Sequence, residues 1–233
     1  MQSEFDSIIT EQFEFVKSLS NKTDKTINVI RHKYTGNRLV VIKGKGNKAV
    51  YEYLMSISHP NLPRIYSVEE EKGNLSIYEE YIDGITVGDV LQTGLYKESG
   101  VREVIIGVCN ALDVLHKNNI IHRDIKPENV IIDKYGNVKL VDFDSARVYK
   151  TYQSNDTAFT GTAGFAAPEQ FAISQTDPRT DIFALGIMMN VMLTGEHPSK
   201  KLYSGKYGKI IEKCIYVDPN GRFQNVKEVI RSL

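Results

Sequence analysis

The sequence predicts an α+β chain in two parts, a small strand-rich one followed by a larger helical one. Three observations carry this. Apolar residues alternate through much of the first third, and past Asp83–Gly84 they recur at spacings of three and four. The length, 233 residues, is enough for one large domain or two small lobes with a sizeable core.

The elements follow in order. The stretch "NVIRHKYTGNRLVVIKGK", Asn28 to Lys45, reads as two strands joined by a turn, with Leu39, Val41 and Lys43 on one face of the second. A lysine closing an apolar strand either finds an anionic partner or reaches water at an edge. A helical stretch from Lys48 to Ser58 stops before "HPNLP", because prolines cannot continue it. "RIYSVEEEKGNLSIYEEYI" reads as a hairpin turning at Lys72–Gly73–Asn74. Val101 to Asn119 is the clearest helix. The most apolar stretch, "IFALGIMMNVML" from Ile182 to Leu193, is too short to span a bilayer and reads as a buried helix.

Composition narrows the partners. The chain is 41% hydrophobic and 25% charged, ordinary for a soluble globular protein. Its 29 basic and 29 acidic residues cancel, so no bulk charge points to nucleic acid or membrane, and neither is expected as a partner. Cys109 and Cys214 lie far apart without metal-ligand spacing, and read as buried free thiols of a reducing, cytoplasmic protein. "MQSEFDSIITEQF" has acids and no apolar signal core, so no secretory segment is expected.

The chemistry concentrates in two stretches, "IIHRDIKPENVII" (Ile120 to Ile132) and "VKLVDFDSAR" (Val138 to Arg147). Asp124, Lys126 and Asn129 stand together on a loop, and Asp142 ends a short strand. Two carboxylates, an amide and an ammonium are what a Mg²⁺-polyphosphate requires: hard oxygen ligands for the metal and a cation for the phosphoryl charge.

At these residues the chain resembles the eukaryotic-like protein kinase superfamily, in its serine/threonine branch, over roughly Leu19 to Leu233. "HRDIKPEN" matches the catalytic loop. "DFD" stands for Asp-Phe-Gly, "GTAGFAAPE" ends the activation segment, "TDIFALGIMM" is the central helix, and "DPNGRF" precedes the last helix. The resemblance implies a single bilobal kinase domain. Its strand-rich lobe would span about 1–82, its hinge about 80–84, and its helical lobe about 84–233. It also implies ATP- and Mg²⁺-dependent phosphoryl transfer to serine and threonine hydroxyls of protein substrates, its own included. By position, Asp124 would orient the substrate hydroxyl and accept its proton. Lys126 would neutralise phosphoryl charge, and Thr162 would help hold Asp124. Asn129 and Asp142 would hold Mg²⁺, and Lys43 would contact the ATP phosphates. Val41 would roof the adenine, with Glu79, Glu80 and Ile82 at the gatekeeper and hinge. His122, Phe143 and Leu54 resemble spine members, Asp181 their anchor, and Glu169–Arg222 a buried ion pair.

Four departures stand out. "LSNKTDKTI" replaces the glycine-rich phosphate loop, with Ser20, Lys22 and Lys25 at the glycine positions, so that Lys22 is a candidate phosphate contact by point charge. Asp144 replaces the glycine of Asp-Phe-Gly, and Val41 replaces a small alanine. Only "SKKLYSGKYG" separates the end of the buried helix from "KIIEKC", too little for the family's substrate-docking helix. These departures keep a second reading open, a pseudokinase scaffold that binds nucleotide or partners without efficient transfer.

Two further expectations rest on the resemblance. Arg123 is the family's receptor for a phosphate on the activation segment, for which Thr157 and Thr160 are the best-placed acceptors. Aligning on His59–Pro60 puts Val50 where the family's helix carries the glutamate that pairs with the strand lysine. Glu79 is therefore expected to partner Lys43 from the neighbouring strand, with Leu75, Ile77 and Glu79 sharing a face with Val41 and Lys43. The alternative pairs Lys43 with Asp142.

Overall fold

The computed structural model describes residues 4–149, 161–171 and 175–233. The chain divides into two compact units, one ending at Ile82 and the other running from Asp83 with Pro60–Leu62 joined to it.

In the first unit, α1 (Glu4–Gln12) leads into β1 (Phe13–Lys22), β2 (Lys25–His32) and β3 (Arg38–Gly44). Then come α2 (Lys48–Met55), β4 (Ile65–Glu71) and β5 (Asn74–Glu80). The five strands form one antiparallel sheet in the order β1-β2-β3-β5-β4. β3 is its central strand, and Val40, Val41 and Ile42 are all buried, so both faces of the strand are covered. Helix α2 buries Val50, Tyr51 and Leu54 on one stripe. It ends at Met55, before the expected Ser58. The amides of Ser56 and Ile57 bond back three residues, to Tyr53 and Leu54, tightening the last turn ahead of Pro60.

Two hairpins shape this sheet. β4 and β5 turn through Lys72 (φ 51°) and Gly73 (φ 78°), both left-handed, as a two-residue turn that follows the strand twist demands. β1 and β2 pair up to Lys22 opposite Lys25, leaving Thr23 and Asp24 as the turn. Ser20 therefore stands within a strand, and the register slips between Phe15 and Lys17 and between Ser18 and Ser20.

The register overturns the expected Lys43–Glu79 pair. Lys43 lies opposite Ser76 and Glu79 opposite Val40. Glu79 therefore shares its face with Val40, Ile42, Leu75 and Ile77, while Lys43 and Val41 share the other with Ser76 and Tyr78. Side chains alternate with period two, so an offset of one residue in the assumed pairing exchanges the faces. Lys43 is exposed and Glu79 buried at 7% exposure. Glu52, set aside on the sequence, instead lies 3.6 Å from Lys48 one turn earlier.

The second unit begins with β6 (Gly84–Thr86), α3 (Val87–Leu91) and the long α4 (Glu98–Lys117). Val101, Val104, Ile105, Val108, Leu112 and Leu115 form the buried stripe of α4. Next come β7 (Ile120–Ile121), β8 (Val130–Asp133), β9 (Val138–Leu140) and β10 (Arg147–Val148). They make a β6-β8-β9 sheet and a β7-β10 ribbon. The helices α5 (Pro168–Phe171), α6 (Pro178–Thr194), α7 (Gly208–Cys214) and α8 (Val226–Ser232) complete the unit.

The buried helix expected over Ile182–Leu193 is the interior of α6. Asp177 caps its start in a reciprocal box with Thr180, Pro178 takes the first turn, and Gly195 (φ 74°) closes it in the left-handed region. Gly186 allows α7 to approach, since a side chain there would collide with Cys214. Residues 195–207 contain no helix. They are held by the buried Asn190, which donates to the carbonyls of Glu196 and Lys201 (both 2.8 Å) and accepts from the Tyr203 amide (2.9 Å). Arg222 is buried in a forked pair with Glu169 (2.7 and 2.9 Å) and also donates to the Tyr216 and Val217 carbonyls. Among the described residues no helix is long and apolar enough to cross a membrane.

Candidate active site

The site is assembled from α6 outward. Asp181, in its first turn, is wholly buried and accepts from His116 Nε2 (2.8 Å) and the amides of His122 (3.0 Å) and Arg123 (2.8 Å). Burial would raise its carboxyl, but the hydrogen bond from His116, the electrostatic pull of the neighbouring imidazoles and the His122 amide hold it below the usual carboxylate range. One side chain thus fastens the loop after β7 to the helix core. Arg123, at φ 65°, turns that loop through the left-handed region.

Asp124 follows at once and is 8% exposed. Thr162 Oγ1 donates to its Oδ1 at 2.7 Å, and Lys126 Nζ donates to its Oδ2 at 2.7 Å. Lys126 also donates to Thr162 Oγ1 at 2.7 Å, closing a triangle. Asn129 Nδ2 reaches both the Asp124 carbonyl (2.9 Å) and Oδ2 (3.0 Å). Burial pushes the Asp124 carboxyl up, yet the hydrogen bonds from Lys126 and Thr162 and the lysine charge outweigh it and leave the group below its ordinary value. The result is an ionised, fully oriented carboxylate.

His122 supports it from behind. Its Nδ1 accepts the Asp124 amide at 3.3 Å and its Nε2 donates to the Val141 carbonyl at 3.2 Å, a pair of partners that suits only the neutral imidazole. Burial lowers its pKa in spite of Asp181, Asp142 and Asp124 nearby. Its ring packs edge-on to Phe143 at 5.3 Å between centroids.

The residues expected to hold Mg²⁺ pass a chemical test. Asn129 spends its amide nitrogen on Asp124, so only its side-chain oxygen remains to be offered. The Val141 amide bonds the Asn129 carbonyl at 2.9 Å, tying that loop to the strand end ahead of Asp142, itself at φ 66°. Among the described residues no cluster of three or more His, Cys, Asp or Glu side chains could hold a metal alone. One carboxylate and one amide oxygen fit a Mg²⁺ that draws its other ligands from phosphate and water.

In the first unit, Val41 and Lys43 lie together on one face of β3, and Glu79 lies on the other. Glu80 is tied to Arg64 by two bonds, its amide to the Arg64 carbonyl (2.8 Å) and its Oε2 to the Arg64 amide (3.1 Å). Ile82 is half-buried at the end of the unit, and Lys22 ends β1. Thr157 and Thr160 lie outside the described residues. Sequence reasoning missed two features: His122 as the acceptor that orients Asp124, and Arg147 beside Arg123. Arg123 donates to the Ser145 carbonyl at 2.7 Å; burial and the Arg147 charge pull its pKa down to about 10 against the pull of Asp181. No linear signal marks either one, because both depend on where the chain returns.

A carboxylate held by a lysine and a threonine hydroxyl, on a loop anchored to a buried helix, has the geometry that general-base chemistry requires. The description "Protein kinase domain" matches residues 16–231, and the chain belongs to that family. It is 37% identical to the serine/threonine-protein kinase PknB of Mycobacterium tuberculosis over 61% of its length. It is 29% identical to sperm motility kinase Z of Mus musculus over 85%, and 28% identical to a probable serine/threonine-protein kinase of Clostridium perfringens over 89%. It spans 24%, 43% and 33% of those relatives, less than half of each.

Proposed function

We propose that this chain transfers the γ-phosphoryl group of ATP, with Mg²⁺, to serine and threonine hydroxyls of protein substrates, its own hydroxyls included. The observation that supports it most is the triangle of Asp124, Lys126 and Thr162, with each side at 2.7 Å. Bound Mg²⁺-ATP would supply the electrophilic phosphorus and the metal charge. Asp124 would orient the acceptor hydroxyl and take its proton, its low pKa favouring the ionised, accepting form. Lys126 would neutralise charge on the phosphoryl oxygens, and Thr162 would keep the carboxylate aimed. Asn129 and Asp142 would hold the metal, and Lys43 would be given to the nucleotide phosphates. The test is transfer of labelled phosphate from ATP to a generic basic protein. Asp124→Asn should lower kcat by roughly 100-fold or more and leave nucleotide binding nearly unchanged. Equal activity of variant and wild type would end the catalytic reading.

A second reading, a nucleotide-binding scaffold without efficient transfer, is favoured by one feature. The β1–β2 hairpin is paired up to Lys22 and Lys25 and turns through Thr23 and Asp24, so no glycine lets backbone amides close on a phosphate. Bound nucleotide without transfer by the wild-type chain would support it.

A further inference from the structure

Two surface patches flank α7 in the helical unit. Past its C-terminal end, a pocket of about 500 Å³ is lined by Ile215, Tyr216 and Val217, with the carboxylates of Glu212 and Asp218. Tyr216 and Val217 are 57% and 72% exposed. Both are held in place. The buried Arg222 donates to their carbonyls at 2.7 and 3.0 Å, and the Tyr216 ring lies where any side chain at position 221 would strike it. Ahead of the N-terminal end, Leu202 is 38% exposed next to the exposed Lys200 and Lys201. The buried Asn190 fixes Leu202 from both sides, through the Lys201 carbonyl (2.8 Å) and the Tyr203 amide (2.9 Å). Between the patches, α7 turns Lys209 and Glu212 to solvent. Lys200, Lys201, Lys209 and Glu212 make no ion pair among the described residues.

We infer that this face docks a second copy of the chain, in a two-fold pair with the two α7 helices antiparallel. A two-fold contact uses the same surface twice, so the surface must complement itself. This one does. Laid antiparallel, the helices set Lys209 of each copy against Glu212 of the other. The same arrangement carries Leu202, with Lys200 and Lys201, toward Tyr216 and Val217, with Asp218, at both ends of a seven-residue helix roughly 10 Å long. Apolar surface meets apolar surface, and each cation meets a carboxylate. Because Asn190 and Arg222 already fix the backbone of both patches, little ordering remains to oppose association.

Sedimentation velocity of the full chain over a series of concentrations tests this. Wild type should pass from the mass of one chain to that of two. Its dissociation constant should rise several-fold between about 0.1 and 1 M NaCl. The variant L202A/V217A, altered only at exposed positions, should raise that constant about tenfold or more. Lys209→Glu sets acids against each other across the two-fold axis, and Glu212→Lys sets bases, so each variant alone should fail to pair. An equimolar mixture of the two should pair again, because each supplies the charge the other lacks. Wild type monomeric at every concentration would overturn the inference and leave the surface to a different protein. A dimer indifferent to L202A/V217A would overturn it too, as would a mixture of the charge variants that stays monomeric.

Discussion

His122 shows how a single residue carries a constraint that its neighbours only inherit. Its two ring nitrogens face opposite roles, Nδ1 accepting from Asp124 and Nε2 donating to Val141. A proton on Nδ1 would set two donors against each other. Burial accordingly lowers its pKa. The unfolded imidazole titrates near 6.5, above the folded value, so between the two values the unfolded chain holds the extra proton. The stability tied to neutral His122 is therefore complete above about pH 6.5 and is lost as pH falls toward the folded value. Its slope is at most about 1.4 kcal/mol per pH unit. Denaturant unfolding at pH 7 and pH 5.5 should show this loss in wild type, and His122→Phe, which keeps the ring against Phe143, should flatten it. Equal pH slopes for the two would refute the assignment. Asp181 and Asp124, whose pKa values are also lowered, act only at much lower pH and do not confuse the window.

At the scale of elements, the loop after β7 and the ribbon β7–β10 bring Arg123 and Arg147 together. Ile121 pairs with Arg147 across that ribbon, which places the second guanidinium near the first. Two cations held close repel each other. A phosphate on Thr157 or Thr160, the acceptors that the resemblance implies, would gain charge-assisted hydrogen bonds to Arg123. Mass spectrometry of active protein should find phosphate between Tyr149 and Thr162, and phosphatase treatment should lower activity several-fold in wild type but not in Arg123→Ala. Active protein with no phosphate in that stretch would sink the idea. The α6 cap makes the complementary point. Its apolar run was legible, but the reciprocal Asp177–Thr180 box that starts the helix is decided by the folded backbone.

For the whole molecule, nucleotide binding is the property that joins the proposed roles. A ligand of the native state present at 100 times its dissociation constant adds about 2.7 kcal/mol, which for a chain of this size is a rise of roughly 5 to 10 °C in Tm. ATP with Mg²⁺ should produce such a rise in wild type and in Asp124→Asn. Asp142→Asn should lose the Mg²⁺-dependent part, because the expected metal carboxylate is gone. A wild-type Tm indifferent to ATP with and without Mg²⁺ would remove both the kinase and the nucleotide-scaffold readings. The forked Glu169–Arg222 pair belongs to this scale as well. It links α5 to the segment before α8 and buries a charge, so its geometry must be kept whole: removing one partner of such a pair typically costs about 3–5 kcal/mol.

Much of this was determined by sequence alone. The α+β division, the β2–β3 and β4–β5 hairpins of the first unit, helix α4 and the buried run of α6 follow from periodicity and turn chemistry, which act over a few residues and are written locally. The loop residues Asp124, Lys126 and Asn129 were legible for the same reason, since their spacing is their geometry. Other features only the tertiary structure decided. Which face of β5 carries Glu79 depends on a register shared with β3, and one residue of offset reverses it. Which nitrogen of His122 faces Asp124, and that Asp181 gathers three donors from 58 to 65 residues away, depend on long-range return of the chain. Burial makes such partners obligatory, because an unmatched polar group in a dry interior is costly, but it does not announce in sequence who they will be.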